Sequence, residues 1–349
     1  MVTPVETSAY AAMVAGAALQ PHTIERRELR PRDVLIDIKY SGICHSDIHQ
    51  AREEWFTSIF PMVPGHEIAG VVREVGSEVT TFAPGDRVGV GVFIDTCREC
   101  NNCKMGLEQY CEKGFVGTYN GKDYDGNVTY GGYSSAIVVD AHYVVRIPDT
   151  LGLDVAAPLL CAGITTYSPL REWGAGPGMR VGIMGLGGLG HMGLKHAKAM
   201  GADVTLISHS PSKEADAKRL GADDFLLLSD RKAMRSQQMT FDLIVNTISA
   251  PIDLDPPLNL LKTDGTMAYV GLPDKPLQVS VFSLAGQRRR LTGSNVGGMG
   301  ELQEMLDFCA EHGYGSDVEV IGAEQINEAW DRVVASDVRY RFVIDASTF

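Results

Sequence analysis

The sequence lacks long apolar runs and is poor in basic residues. No stretch of about 18 uninterrupted apolar residues occurs in its 349 residues, which excludes a spanning helix. Lys and Arg total 31 against 44 for Asp and Glu, giving a formal net charge of −13. A nucleic-acid binder usually shows a basic face, and nothing here suggests one. We therefore expect neither a membrane nor a nucleic acid as partner.

The N-terminal region lacks the features of a secretory signal. Residues 9–19 are apolar, but no Lys or Arg precedes them, and the first basic residues are Arg26 and Arg27. We interpret this region as a first strand and loop, in a protein that stays in the cytoplasm. At about 150 residues per domain, the length predicts roughly two domains.

A disulfide framework is also not expected, because the seven cysteines are an odd number in a chain without a signal. Four of them follow the pattern C-x2-C-x2-C-x7-C, namely Cys97, Cys100, Cys103 and Cys111. Such crowded thiolates are typical of a closed structural zinc site. An iron–sulfur ferredoxin pattern has a shorter last spacing and a following proline, neither of which is present. Free thiols are the remaining alternative.

The other three cysteines divide into two kinds. Cys309 continues an apolar helix face with i, i+3, i+4, i+7 spacing, which predicts a core position. Cys44 and Cys161 lie on either side of His66 in the sequence, and Glu67 follows His66 directly. Two thiolates and one imidazole would leave a fourth metal position open to water or substrate. Each residue alone is weak support for such a site.

The predicted pattern of secondary structure changes along the chain. Residues 1 to about 155 contain short strands separated by glycine turns, a pattern that suggests a barrel. From about residue 179, buried strands alternate with helices, which indicates a doubly wound parallel sheet. The last fifty or so residues return to a mixture of helix and strand. The predicted fold class is α/β.

A glycine-rich loop follows the first strand of the alternating region. Gly185, Gly187 and Gly190 form G-x-G-x-x-G, with Gly188 and Leu189 inside it, and a helix follows. This context is typical of a dinucleotide site, where the helix N-terminus and loop backbone accept a pyrophosphate. A glycine-rich loop without a ligand is the alternative.

The end of the next strand indicates which dinucleotide binds. An NAD site would carry Asp or Glu there for the ribose hydroxyls. This chain instead has Ser208, His209, Ser210 and Lys213, whose hydroxyls and positive charge suit a 2′-phosphate. The pattern favours NADP(H), although Lys213 is also simply the start of a helix.

Taken together, these motifs resemble the zinc-containing medium-chain alcohol dehydrogenases. The closest resemblance is to the cinnamyl-alcohol-dehydrogenase-like branch of NADP-dependent aldehyde reductases. It covers essentially the whole chain and is carried by residues 42–49 (GICHSDIH), 64–67 (PGHE), the four-cysteine loop, 160–167 (LCAGITTY), 185–193 (GLGGLGHMG) and 338–345 (VRYRFVID).

The resemblance implies a role for each matching residue. Cys44, His66 and Cys161 match catalytic zinc ligands, and Glu67 matches an acid that can also ligate the metal. Asp47 matches a carboxylate that orients the histidine ligand. Ser46 and His49 match a proton relay that includes a cofactor ribose hydroxyl. The expected cofactor-binding residues also include His45 and Arg341 near the pyrophosphate, Thr165 against the nicotinamide, and Val270, Gly271 and Ser294.

The family fold is a GroES-like β-barrel catalytic domain interrupted by a Rossmann domain. We expect the first at residues 1–155 and 296–349, and the second at 156–295. Relatives commonly dimerise through the Rossmann sheet, so a homodimer is expected. Plant members usually carry Trp just before the segment Thr118–Asn120, where this chain has Gly117. Trp55 is a possible pocket wall, or an ordinary packing residue.

The activity implied is the interconversion of an aldehyde and a primary alcohol, aliphatic or aromatic, with NADP(H) and two zinc ions per chain. A non-catalytic NADP(H)-binding member of the superfamily is one alternative, but such proteins typically lack the catalytic ligands that this chain has. A polyol or secondary-alcohol dehydrogenase is the other alternative. The Ser208–Lys213 segment and the stretch CHSDIHQ favour the aldehyde-reductase branch.

Overall fold

The computed structural model describes residues 5–273 and 275–349, which form two compact units. The first unit comprises Met1–Cys161 and Gly297–Phe349, and the second comprises Ala162–Val296. The first unit thus extends beyond the domain boundary expected at residue 155. No helix in the described ranges combines the length and apolar character needed to cross a membrane.

The first unit is rich in short strands. Its N-terminal part contains β1 (Val5–Ala11), β2 (Gln20–Arg26), β3 (Asp33–Gly42), α1 (His45–Ala51), β4 (Ile68–Val75), β5 (Arg87–Val90), β6 (Phe93–Asp95), α2 (Asn101–Lys104), β7 (Val116–Gly117), β8 (Ala136–Asp140), β9 (Val145–Arg146) and α3 (Leu153–Ala156).

The second unit alternates helices and strands. It contains α4 (Ala162–Glu172), β10 (Arg180–Met184), α5 (Gly190–Ala199), β11 (Asp203–Ser208), α6 (Glu214–Arg219), β12 (Asp224–Leu227), α7 (Arg231–Ser236), β13 (Phe241–Asn246), α8 (Asp255–Leu258), β14 (Leu261–Tyr269), α9 (Val281–Ala285) and β15 (Arg290–Gly293). The chain then returns to the first unit with α10 (Met299–Glu311), β16 (Val318–Ile321), α11 (Ile326–Val334) and β17 (Arg341–Asp345).

A seven-stranded mixed sheet forms the centre of the first unit. Its order is β16-β17-β3-β4-β5-β9, and β8 also pairs with β3. Only β16 and β17 are parallel among these pairs. The C-terminal strand β17 pairs with the end of β3, so that Val343 lies opposite Gly42. This pairing brings the last part of the chain next to the segment that leads into α1.

The second unit is a six-stranded parallel sheet with the order β12-β11-β10-β13-β14-β15. Counted along the chain this is 3-2-1-4-5-6, the doubly wound order of dinucleotide-binding sheets. Strands β10, β11 and β13 are almost continuously buried, as parallel strands covered on both faces should be. The predicted change from a β-rich region to a doubly wound sheet is therefore confirmed.

The pairing of the first two strands escaped the sequence analysis, whereas the core position of Cys309 was predicted. The N-terminal region forms a complete antiparallel hairpin of β1 and β2, in which Val5 pairs with Arg26. Cys309 is fully buried on α10, as its helical spacing predicted.

Arg26, at the end of this hairpin, is a buried cation that binds four acceptors. Its Nε donates to the Ala136 carbonyl (2.9 Å), Nη1 to that of Tyr130 (2.5 Å), and Nη2 to that of Gly131 (2.9 Å) and to Ser134 Oγ (2.8 Å). Burial lowers the pKa of Arg26 to about 9. The several N–H groups of the planar guanidinium thus link β2 to the segment that leads into β8, and a lysine ammonium has no matching geometry.

We predict that Arg26→Lys lowers the free energy of unfolding by about 2–4 kcal/mol, because one ammonium cannot satisfy the same spread of buried acceptors. The matched control is Arg73→Lys on β4, whose guanidinium pairs with Asp37 at the surface and should change stability by less than about 1 kcal/mol. Urea denaturation of both variants provides the measurement. Equal effects for the two substitutions would contradict the structural role of Arg26.

Candidate metal centres and dinucleotide site

One cluster in the first unit combines four residues from three segments. The ligand atoms of Cys44, His66, Glu67 and Cys161 all lie within 4.8 Å of one another. The two Sγ atoms are 3.9 Å apart, and His66 Nε2 lies 3.3 Å from Cys161 Sγ. All four side chains are buried. We call this group the open set. The sequence analysis grouped these residues although more than a hundred positions separate Cys44 from Cys161, and the structure brings them together.

The thiols of the open set share one hydrogen bond. The interaction with Cys161 holds the pKa of the Cys44 thiol well below its ordinary value, against the effect of burial. The same hydrogen bond, together with burial, raises the pKa of Cys161. The pair therefore favours the thiolate at Cys44 and the thiol at Cys161. The thiolate is the form of cysteine that ligates metals.

Asp47 is a fully buried carboxylate behind His66. Its Oδ1 accepts from His66 Nδ1 and from the Gly65 backbone N–H, both at 3.2 Å. Its Oδ2 accepts from the Cys44 backbone N–H at 3.0 Å, and this bond also caps the start of α1. Burial lowers the pKa of His66, but the charges and hydrogen bonds of Asp47 and Cys44 together outweigh burial and raise it overall. A carboxylate in this position stabilises positive charge on or beside the imidazole.

Glu67 and Arg341 form a fully buried ion pair. Arg341 Nη2 donates to Glu67 Oε1 and, at 2.8 Å, to the Ile43 carbonyl. Burial raises the pKa of Glu67 to about 8, although the Arg341 charge opposes this effect. Glu67 Oε2 has no hydrogen-bond partner among the described residues. The expectation that Arg341 lies near a pyrophosphate stays a prediction, and its guanidinium here binds protein groups beside the open set.

Helix α1 carries the residues expected to move protons. Ser46 Oγ lies 3.5 Å from Cys44 Sγ. The rings of His45 and His49 stack with centroids 5.4 Å apart, and His49 stacks in turn on Trp55 at 4.7 Å. His49 Nδ1 also pairs with the Glu54 carboxylate. Trp55 therefore packs on the histidine expected to be the relay residue, a contact that sequence analysis did not foresee.

The four-cysteine loop forms a second cluster. Cys97, Cys100, Cys103 and Cys111 have ligand atoms within 4.8 Å of one another. Cys97 Sγ and Cys103 Sγ are 3.9 Å apart, and Cys100 Sγ and Cys103 Sγ are 3.4 Å apart. Backbone N–H groups of Cys97, Cys100 and Cys103 point at sulfur atoms of the cluster. Because four sulfurs face one another, a metal bound here would keep no open position. We call this group the closed set.

The glycine loop of the second unit joins β10 to α5. Gly185 has φ of +93°, a conformation that favours glycine. A Cβ on Gly190 would lie 2.0 Å from the Gly185 carbonyl oxygen, so the third glycine allows the helix to pack closely. A Cβ on Gly187 would meet nothing within 4 Å, and the backbone there is open to a ligand. Gly188 and Leu189 complete the turn before α5 begins at Gly190.

Most of the other expected cofactor residues of this unit lie at the carboxyl ends of strands of the same sheet, and Thr165 lies on α4. Ser208 is the buried last residue of β11, and its Oγ accepts from the Ser210 backbone N–H at 3.1 Å. His209 is exposed, and Lys213 ends a short 3-10 turn. Val270 and Gly271 follow β14, and Ser294 follows β15. Thr165 is buried on α4. Parallel sheets of this kind bind ligands at the carboxyl ends of their strands.

Three aromatic residues at the open set escaped sequence analysis. Tyr119 stacks on His66 with centroids 5.7 Å apart, and burial raises the pKa of its hydroxyl. Tyr133 Oη donates to Asp47 Oδ2 at 3.2 Å, and Trp330 Nε1 donates to Tyr133 Oη at 3.3 Å. These aromatics lie far from the ligands in sequence, and no local motif marks them.

Comparisons with known proteins agree with this geometry. Residues 30–149 match the alcohol dehydrogenase GroES-like domain, and residues 188–311 match the zinc-binding dehydrogenase domain. The chain is 60% identical over 342 residues to NADP-dependent alcohol dehydrogenase C 1 of Mycolicibacterium smegmatis, covering 98% of both proteins. It is 59% identical to the probable formaldehyde dehydrogenase of Bacillus subtilis, covering 96% of both.

Among solved structures, a cinnamyl alcohol dehydrogenase of Sorghum bicolor superposes with a TM-score of 0.95 at 45% identity, covering 98% of both chains. The expected fold class, a GroES-like domain with a Rossmann-type domain, is thereby confirmed. The chain belongs to the medium-chain zinc-binding alcohol dehydrogenase family and resembles its cinnamyl-alcohol-dehydrogenase-like branch.

Proposed function

We propose that this protein is a zinc-dependent, NADP(H)-dependent alcohol dehydrogenase that interconverts aldehydes and primary alcohols. The observation that carries the proposal is the open set, in which two thiols and an imidazole converge in front of the buried Asp47 carboxylate. The relative from Mycolicibacterium smegmatis, named an NADP-dependent alcohol dehydrogenase, supports the same activity.

The residues of the open set fit a zinc ion. A tetrahedral ion with Zn–S bonds of about 2.3 Å places two thiolates about 3.8 Å apart, and the sulfurs of Cys44 and Cys161 are 3.9 Å apart. His66 would ligate through Nε2, because Asp47 accepts a hydrogen bond from Nδ1. The unpartnered oxygen of Glu67 supplies a further donor beside these three. Bound here, zinc would act as a Lewis acid on the substrate oxygen.

The closed set fits a second zinc ion with a structural role. Its four sulfurs offer soft ligands with spacings close to those of a tetrahedral thiolate site. The surrounding loop is anchored by Glu108, whose Oε2 accepts from the Met299 backbone N–H at 3.2 Å. A metal bound to the four cysteines would fix the rest of this loop.

The glycine loop and the Ser208–Lys213 segment fit NADP(H). The open backbone at Gly187 and the N-terminus of α5 suit a pyrophosphate. Hydroxyls of Ser208 and Ser210 and the ammonium of Lys213 suit a 2′-phosphate, and no Asp or Glu lies between Ser208 and Lys213. The bound cofactor would exchange a hydride with the substrate carbon.

In this proposal, side chains of the first unit hold charge and move protons. Asp47 keeps the His66 imidazole oriented, and Arg341 balances the Glu67 charge. Ser46 Oγ, beside the Cys44 sulfur, would exchange the proton of the alcohol, and His49 would exchange it with solvent. His49 Nδ1 pairs with the Glu54 carboxylate at a partly exposed position, within reach of solvent.

The proposed substrates include both aliphatic and aromatic aldehydes. The similar proteins carry names as different as formaldehyde dehydrogenase and cinnamyl alcohol dehydrogenase. A panel of aliphatic and aromatic aldehydes, assayed with NADPH and NADH side by side, tests the proposed function. Turnover of no aldehyde by zinc-loaded protein would contradict it. The homodimer and the cytoplasmic location remain predictions, and light scattering tests the dimer.

We predict about two zinc ions per chain by elemental analysis, with different consequences of losing each. Cys161→Ser should reduce turnover by at least about 10²-fold, because Lewis-acid assistance contributes several kcal/mol, while the fold changes little. Cys100→Ser should instead lower the unfolding temperature, because the closed set fixes a loop. Each variant serves as the control for the other. The opposite pattern would mean that the two roles are exchanged.

We predict that kcat/KM is at least about tenfold higher with NADPH than with NADH. A tenfold difference corresponds to about 1.4 kcal/mol, which one or two hydrogen bonds to a charged phosphate can supply. Ser208→Asp should narrow or reverse this preference, because a carboxylate repels a 2′-phosphate. Ser208→Ala is the control and should weaken the preference less. An unchanged preference in Ser208→Asp would place the phosphate elsewhere.

We predict that His49→Ala slows turnover at neutral pH by about 10²-fold or less, because solvent partly replaces a residue at the outer end of a relay. Zinc content and NADPH affinity should not change, and added imidazole should restore part of the rate. His312→Ala removes an exposed histidine of the same unit and should have no effect. A wild-type pH–rate profile in His49→Ala would remove His49 from the mechanism.

A further inference from the structure

Two buried aromatic residues extend the hydrogen bonds of the open set away from the metal position. Tyr133 is fully buried, and Trp330 on α11 is 5% exposed. Trp330 Nε1 lies 3.3 Å from Tyr133 Oη, which lies 3.2 Å from Asp47 Oδ2. Asp47 Oδ1 in turn accepts from His66 Nδ1. A continuous chain of hydrogen bonds therefore runs from α11 to the imidazole.

The direction of each bond in this chain is fixed by the chemistry of the groups. An indole N–H can only donate, so Trp330 occupies an acceptor position of the Tyr133 hydroxyl. A carboxylate can only accept, so the single hydroxyl proton of Tyr133 must go to Asp47. Trp330 therefore orients the hydroxyl, and the hydroxyl holds one carboxylate oxygen while the other faces His66.

The ring of Tyr133 is held in place independently of its hydroxyl. A Cβ on Gly65 would lie 2.6 Å from Tyr133 Cδ1, so the ring packs directly on the Gly65 backbone. The Tyr133 backbone N–H donates to the Pro64 carbonyl, and the Tyr133 carbonyl accepts from the Tyr10 N–H, both at 2.9 Å. Removal of the hydroxyl alone should therefore leave the ring, and with it the fold, in place.

We propose that Tyr133, oriented by Trp330, is a positioning residue that holds the Asp47 carboxylate against His66 and so strengthens metal binding by the open set. This inference rests on the proposed function, since it assumes that the open set holds zinc. Without the Tyr133 hydroxyl, Asp47 Oδ2 keeps the Cys44 backbone N–H but loses a side-chain donor that hydrogen-bonds this oxygen. The carboxylate then orients His66 less firmly, and zinc is released more easily.

The test is the rate at which zinc passes from the purified holoenzyme to a chromogenic chelator. The kinetic phase that is absent in Cys161→Ser is assigned to the open set. In Tyr133→Phe this phase should become about 3–10-fold faster, which is less than the 10- to 100-fold effect of removing a group that bonds the ligand directly. The phase from the closed set should keep its rate.

Trp330→Phe gives an independent variant that keeps the aromatic packing and removes the N–H. It should accelerate the same phase by a smaller factor. Because Trp330 acts through the Tyr133 hydroxyl, the double variant should release zinc at the rate of Tyr133→Phe alone. Additive effects of the two substitutions would contradict the proposed order of the chain.

Tyr143→Phe is the matched control for hydroxyl loss. Tyr143 is fully buried in the same unit, and its hydroxyl bonds Thr96 Oγ1 at 2.8 Å, beside the closed set. It should not change the rate of the open-set phase, whatever its effect on thermal stability. Equal open-set release from wild type and Tyr133→Phe would overturn this inference alone. Wild-type protein without any open-set phase would overturn the proposed function together with it.

Discussion

Burial of the Asp47 carboxylate is the constraint on which the open set depends. A charge with no solvent exposure must be matched by donors, because an unpaired buried charge costs several kcal/mol. The donors here come from the start of α1, from Gly65 and His66, and from Tyr133. One side chain therefore connects three segments that are distant in sequence. Because the buried Asp47 carboxylate needs hydrogen-bond donors, and His66 is one of them, the same need also fixes the position of His66.

Glu67 and Arg341 meet a similar requirement in a different way. Their ion pair is buried. Arg341 lies beside Glu67 because its strand, β17, pairs antiparallel with the end of β3. The guanidinium binds Glu67 and the Ile43 carbonyl, and its expected place near a pyrophosphate stays a prediction. Sequence reasoning could not find this pair, because nothing near either residue marks the other. The register between β3 and β17 is what brings them together.

Local patterns explain which features could be predicted. The glycine loop, the buried strands β10, β11 and β13, and the four-cysteine spacing are each contained in a short stretch of sequence, and the structure contains all of them. The open set was predicted because its three segments carry distinctive motifs. Tyr133 lies 86 positions from Asp47 in sequence, and Trp330 is farther still. Aromatic residues at such positions usually indicate only core packing.

Buried charged groups concentrate at the open set, although the second unit also buries His191, His196 and Asp216. In the first unit, the buried groups Asp47, His66, Glu67 and Arg341 gather at the open set, whereas Arg26, Asp33 and Glu108 are buried elsewhere. The strands at the centre of the second unit are instead almost wholly apolar. Apolar packing would be the more stable way to fill either core, so a concentration of buried charge indicates a site whose chemistry requires it. The dinucleotide site needs no such concentration, because backbone N–H groups and a helix terminus at the edge of a sheet provide its positive potential.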